Sequence, residues 1–346
     1  MRSLNVTEEA YENQRAVVIQ EFNQRIANAP YGYANSRLFT QAMAGYHPYE
    51  LPVIGSVEEL ESAPFEEVKA FHDTYYKPNN ATLVVVGAIN IEQTQALIQA
   101  NFADIPAGEE VPSILEEYPA PVEFPVLGED AATGCLLGTE ETIVDPLAGL
   151  PRWAMNLAGP LRGTPDYYAL DVLSIILSGG NSSRLERNIV QQGKAAAAFV
   201  GLNSYLGASV FYGAVYPNSG GDLEAMPALL QAELDAVRAE GVTEEELART
   251  KRQIVVGSIS SYRGSVRDTA EWLQDAALTF GSPDGIVEEL EAYQAVTVEN
   301  VQRVAQTYLC ERPVNIQRVL PSGEPVSSEA PELELGAPVT PTASVE

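Results

Sequence analysis

Lysine is almost missing from this chain: Lys69, Lys77, Lys194 and Lys251 are the only ones in 346 residues. Twenty basic side chains stand against 48 acidic ones, giving a formal net charge of −28 that repels phosphate backbones and anionic headgroups. Nucleic acid and membrane surfaces are therefore not expected as partners. Two explanations of so acidic a surface stand side by side, adaptation to high salt and an ordinary acidic bacterial surface. Cysteine is confined to Cys135 and Cys310, far apart and in no CxxC pattern. They are expected to be packing residues, with neither a disulfide nor a thiolate metal site. No window approaches the ~18 uninterrupted apolar residues of a membrane span, and the opening residues lack the basic-then-apolar order of a signal peptide. SGGNSSRL is glycine-rich but lacks the GK[ST] ending of a phosphate loop, and no nucleophile elbow is recognisable. Ser182 or Ser183 reads better as a helix cap.

What is present orders the chain. Val6-Thr7-Glu8-Glu9 recurs as Val242-Thr243-Glu244-Glu245, 236 residues later, each copy opening a helix-patterned stretch. Glu66, Val68, Thr74 and Tyr75 recur as Glu299, Val301, Thr307 and Tyr308 at a separation of 233, and Gly45 falls opposite Gly281. Matches in one order at nearly one offset indicate two copies of one domain. The second copy has residues 139–241 ahead of its VTEE helix, where the first has five. About 100 residues of the first domain are thus expected to be missing, by subtraction of the repeat offset.

The pattern predicts a first helix capped by Thr7 and stopped near Asn28-Ala29-Pro30, then helices at 35–43, 57–62, 65–76 and 91–102, with a strand at 81–86. The acidic, proline-rich stretch from Pro106 to about Asp130 reads as an extended linker. Strands near 142–144 and 153–157, helices near 166–177 and 183–191, and strands near 195–202 and 209–216 follow. Then come about four helices, one with a capping box at Thr243 and Glu246, and a strand ending near Leu320. The expected fold class is α+β, two similar domains, each a mostly antiparallel sheet with helices on one face, the first incomplete. Its divisions are 1–105, the later part of the first domain; 106–138, linker; 139–320, the second domain; and 321–346, a disordered tail.

Several stretches resemble the pitrilysin, insulinase and mitochondrial processing peptidase family, in particular its short-chain bacterial members: YENQRAVVIQE, HPYELPVIG, YYKPNNATLVVVGAIN, SGGNSSRL and GVTEEELARTKRQ. The resemblance covers nearly the whole of 8–320. It implies a zinc-dependent metalloendopeptidase whose HxxEH motif supplies two histidine ligands and a general base, with a glutamate from a later helix as third ligand. Glu21 stands where that third ligand belongs. Gln14 lies two helical turns before it, at a position where relatives commonly carry a glutamate that supports the site without touching the metal. In the second copy Gly257 occupies the place of Glu21.

The chain has no HxxEH. His47-Pro48-Tyr49-Glu50-Leu51 comes nearest, but leucine replaces the second histidine and proline opposes the helix that the i, i+4 spacing needs. His47 is expected to be a loop residue that hydrogen-bonds locally, and His72 a helix-surface or packing residue. The motif would fall in the missing front end, so its absence reads as truncation. Many relatives also hold the substrate backbone with an arginine and, seven residues on, a tyrosine; Val190 and Ala197 occupy those places here.

The expected function is therefore a zinc metalloendopeptidase subunit acting on peptides in a chamber of two halves, inactive as this chain because HxxEH is absent. The alternative is a non-catalytic partner or scaffold subunit of the same family. Zinc is expected in an intact parent and not in this chain alone. The expected partners are a peptide substrate and a sibling subunit, in a homo- or heterodimer. No localisation signal is legible, and the resemblance admits the periplasm or secretion for the parent.

Overall fold

A computed structural model describes residues 7–111, 113–118, 125–131 and 133–321. The expected disordered tail lies, apart from Pro321, outside the described residues. The core is a six-stranded sheet in the order β1-β2-β6-β3-β5-β4. Its strands are β1 (Gly128–Glu129), β2 (Leu136–Val144), β3 (Arg152–Ala158), β4 (Ala197–Tyr205), β5 (Ala208–Tyr216) and β6 (Val314–Leu320). All pairings are antiparallel except β2 with β6. The sheet takes in residues on both sides of the expected boundary at 138, because β2 begins at Leu136.

Alternation along the strands sets the two faces. Trp153, Met155 and Leu157 of β3 point into the main core with Phe211 and Val215 of β5. That face is covered by α7 (Pro165–Ser178), α8 (Met226–Glu240), α9 (Glu244–Gly264), α11 (Gly285–Ala295) and α12 (Val298–Tyr308). α10 (Val266–Phe280) follows α9. Caps fix the starts: Thr164 precedes Pro165, Thr243 and Glu246 form the expected capping box, and Thr297 with Asn300 forms another.

The opposite face is polar, with Arg152 and Asn156 of β3 and Asn315 and Gln317 of β6 all buried. α2 (Gly32–Ala42) lies over it, and its carbonyls at one helical spacing receive the amides. Gln317 Nε2 donates to the oxygen of Ala34 at 2.9 Å, Asn156 Nδ2 to Leu38 at 2.6 Å and Asn315 Nδ2 to Gln41 at 3.4 Å. Arg152 donates to Asn35 Oδ1 and to Gln317 Oε1. A buried polar face is tolerable only when its groups are paired in this way.

The remaining helices are α1 (Glu8–Phe22), α3 (Val57–Ser62), α4 (Phe65–Tyr75), α5 (Ile91–Phe102) and the short α6 (Ile114–Glu117). None of α1, α3, α4 and α5 has a buried residue. The expected strand at 81–86 forms no regular element and joins no ladder, since no strand among the described residues pairs with it. A strand exists only through its partner, and periodicity cannot supply one.

Cysteine requires a second correction: Cys135 and Cys310 form a disulfide across 175 residues. Parallel pairing of β2 with β6 brings the starts of both strands together, and the amide of Leu136 donates to the carbonyl of Cys310 at 2.9 Å. Sequence separation concealed a contact that the sheet creates.

Candidate metal and substrate site

α1 carries both residues expected at the metal. Thr7 caps it by accepting from the amide of Ala10, and Glu8 and Glu9 complement the helix dipole. Tyr11 anchors it, its hydroxyl donating to the carbonyl of Ala63 at 2.5 Å and its ring lying 5.7 Å from that of Phe65. The helix passes into a π-helical turn at Asn23–Ala27. Next, Gly32 comes so near the carbonyl of Ile26 that a Cβ would sit 2.3 Å from its oxygen, so only glycine fits. Tyr31, left-handed at φ 59°, ties this bend to the sheet: its amide donates to Asp145 at 2.6 Å and its hydroxyl to the carbonyl of Leu150 at 2.6 Å.

Glu21 sits at the last turn of α1, with its side chain 41% exposed and paired to Arg25 Nη1 at 3.0 Å. Gln14 is exposed two turns earlier. Zinc needs three or four protein donors converging within about 2.0–2.3 Å. Among the described residues no group of three or more histidine, cysteine, aspartate or glutamate side chains converges in this way. Glu21 faces a guanidinium rather than a ligand, so the donor set of these residues does not fit zinc, and no chemical step is derived through it. His47 opens a 3₁₀ turn, with Nδ1 3.4 Å from Glu50 Oε2, which is the local bond expected of it. His72 stacks on Tyr76 with ring centres 5.0 Å apart and lies 3.3 Å from Asp73 Oδ1.

The two clamp positions lie across one turn. Val190 ends the π-helix Glu186–Val190 and Ala197 opens β4. Both are half-buried and neither has a polar atom to offer a peptide backbone. The expected serine cap is absent, because the π-helix has no side-chain cap and Ser183 Oγ is buried without a partner. A cavity of about 220 Å³ opens between α2 and the sheet, lined by Asn35, Phe39, Asn156, Asn203, Tyr205 and Tyr212.

Sequence reasoning missed the pair that joins two of the motifs. Arg184, in the SSRL turn, donates to Glu246 bidentately, Nε to Oε1 at 2.8 Å and Nη2 to Oε2 at 2.7 Å, and also to the carbonyl of Gly241. The guanidinium, outweighing the cost of burial, holds the Glu246 carboxyl down at about 2, and the Thr243 amide and hydroxyl add to the effect. The capping box was the legible signal. Its non-local partner was not.

The model of the family described as "Peptidase M16 inactive domain" matches residues 62–254, from the end of α3 into α9. The chain belongs to the peptidase M16 family. Among curated relatives, the zinc protease PqqE of Helicobacter pylori is 28% identical over 311 residues, 89% of this chain and 66% of that protein. A zinc protease of Mycobacterium tuberculosis is 28% identical over 87% of this chain and 65% of its own length. This M16 chain thus spans just under two thirds of these relatives. Among solved structures, a protease from Helicobacter pylori superposes with a TM-score of 0.78 at 26% identity, covering 93% of this chain and 74% of that one. A Pseudomonas fluorescens structure described as an M16 inactive domain gives 0.72 at 19% identity, over 92% and 71%, and supports the fold alone. The α+β fold, a largely antiparallel sheet with helices packed on it, is that of M16-like peptidases.

Proposed function

We propose that this M16 chain is part of a zinc-dependent metalloendopeptidase subunit that handles peptides inside a chamber of two halves. On its own the chain neither holds zinc nor hydrolyses peptides. The observation that carries the proposal is the family match combined with a donor set that stops at Glu21. α1 offers one carboxylate, and the remaining donors of an HxxEH site are in no residue of this chain. β4 is the last strand of the sheet, so its outer edge can pair with an extended peptide through main-chain hydrogen bonds and bind many sequences. Peptide, sibling subunit and zinc all belong to this proposal, as does an extracytoplasmic location for the parent. No described helix is long and apolar enough to cross a membrane.

The test compares the 346-residue chain with the protein purified from its own cells at native length. Zinc content and peptide hydrolysis are expected only in the latter, and Glu21→Gln there should lower zinc occupancy at least tenfold, about 1.4 kcal/mol of binding. Stoichiometric zinc and hydrolysis from the 346-residue chain alone would overturn the proposal. The apolar Val190 and Ala197 favour a second reading, a non-catalytic partner that completes the chamber. Dependence of a zinc-bearing sibling's activity on this chain would select it.

A further inference from the structure

The polar face of the sheet is not covered evenly. One row of residues crosses it from strand to strand: Asn315 of β6 lies opposite Asn156 of β3, Asn156 opposite Tyr212 of β5, and Tyr212 opposite Gly201 of β4. Residues directly opposite one another share a face, so all four positions belong to this one. α2 takes up the first half of the row, where the carbonyls of Gln41 and Leu38 accept from Asn315 and Asn156. Over the second half lies the ring of Tyr212. It can lean across β4 because residue 201 has no side chain: a Cβ there would meet the Tyr212 hydroxyl at 2.6 Å and Cζ at 2.7 Å. The cavity of about 220 Å³ lies between that ring and α2.

Its walls are mostly apolar, with Leu38, Phe39 and Ala42 from α2 and Val210, Tyr205 and Tyr212 from the sheet. Phe39 and Tyr205 meet edge to face, ring centres 5.7 Å apart. Burial pushes the Tyr205 phenol up despite an opposing hydrogen bond with Asn203, as a wall of low polarity should. Among the described residues no charged side chain lines the cavity, in a chain where 20% of residues are charged. Asn35 and Asn203 are exposed at its mouth. Asn156, 1% exposed, forms its floor. The Nδ2 of Asn156 donates to the Leu38 carbonyl at 2.6 Å, and its Oδ1 accepts from Asn315 at 3.0 Å. A carboxamide has two N–H groups and two lone pairs on oxygen, so one of each is unused among the described residues.

We propose that this cavity binds an uncharged aromatic ring carrying one hydrogen-bonding group, of the indole or phenol class. A dry cavity of about 150 Å³ lined by Leu, Ile and Phe takes benzene, so the volume here leaves room for a second fused ring or a polar substituent. Phe39, Tyr205 and Tyr212 offer the edge and face contacts that aromatic rings prefer. The N–H or O–H of the ligand donates to the unused lone pair of Asn156, matching a buried polar group that an aliphatic ligand would leave unmatched. Anions are repelled by the net charge of −28, and a cation finds no carboxylate in the lining. Nothing in this site uses peptidase chemistry, so failure of the peptidase proposal leaves it untouched.

Isothermal titration of the full 346-residue chain with indole should show one site with a Kd on the order of 0.1 mM. 1-Methylindole, which has no N–H to donate, should bind about tenfold more weakly. Gly201→Ala puts a methyl group where the Tyr212 ring lies and drives that ring toward α2, so it should abolish binding while removing no lining group. Asn203→Trp, at an exposed position of the mouth, should abolish it as well, and cooperative thermal unfolding shows that each variant is folded. N-acetyltryptophanamide separates two sources of the ring: binding as tight as that of indole assigns the site to a peptide side chain, and weaker binding to a free small molecule. Absence of indole binding at millimolar concentration would overturn the proposal. Binding that both folded variants retain would overturn it by placing the ring elsewhere. Equal affinity for indole and 1-methylindole would overturn the hydrogen bond at the floor, and with it the class of ligand.

Discussion

Arg184 and Glu246 illustrate how much one buried pair can hold. Their side chains are 13% and 11% exposed, and their two parallel hydrogen bonds join the SSRL turn to the start of α9. Removing the cation by Arg184→Ala leaves a buried carboxylate without compensation, and should cost about 3 kcal/mol in urea unfolding at pH 7. The pH dependence has a definite sign. Glu246 titrates near 4.5 when unfolded and at about 2 when folded. The stabilisation is therefore complete above the unfolded value and is lost as pH falls from about 4.5 toward 2. The difference between wild type and Arg184→Ala should shrink across that window, and a difference constant with pH would refute the assignment. Cys135→Ser gives a second residue-scale prediction. Opening a 175-residue loop in the unfolded chain should lower stability by about 3–5 kcal/mol. A reductant should lower the wild-type melting temperature to that of the variant.

At the scale of elements, the contact of α2 with the sheet depends on amides. Gln317 is fully buried, donates to Ala34 and Glu141, and accepts from Arg152. Gln317→Leu keeps the volume but takes one buried partner each from the Arg152 guanidinium and the Glu141 carboxylate, which retain Asn35 and Arg37, and should cost about 2–4 kcal/mol by thermal unfolding. Helices were largely legible in the sequence, because their starts carry local signals: Thr7, Ser56, Asn90 and Thr243 all cap as their residue types suggest. β2 was read short because Leu137, Glu140 and Glu141 pair with Val314, Ile316 and Gln317 of β6, far along the chain, and no local pattern marks that. The segment 81–86 was overread for the converse reason, since its β-branched composition is that of a strand but no strand among the described residues pairs with it. Of the candidate site, Glu21 and Gln14 could be placed from spacing along one helix. Arg25 also lay within one turn of Glu21, yet whether that carboxylate faces a metal or a cation is decided by side-chain geometry.

Charge acts at the scale of the whole molecule. A net charge of −28 with few lysines means that repulsion is spread over the surface, beyond what the ion pairs neutralise. Salt shortens the Debye length from about 10 Å at 0.1 M to about 3 Å at 1 M. The urea midpoint should therefore rise between low and molar sodium chloride, and a flat or falling midpoint would reject self-repulsion as a significant cost. Strand order has a consequence for how the molecule is made. β6, the last strand among the described residues, is inserted between β2 and β3, which are consecutive in the chain. During translation those two cannot become neighbours without blocking the place of the last one. A sheet built from the described strands keeps a slot open until β6 is made, and the chain just ahead of β6 brings Cys310 to Cys135 as that strand enters. The disulfide thus joins the two ends of the slot that β6 fills, and an arrested chain ending before residue 310 should carry Cys135 as a free, alkylatable thiol.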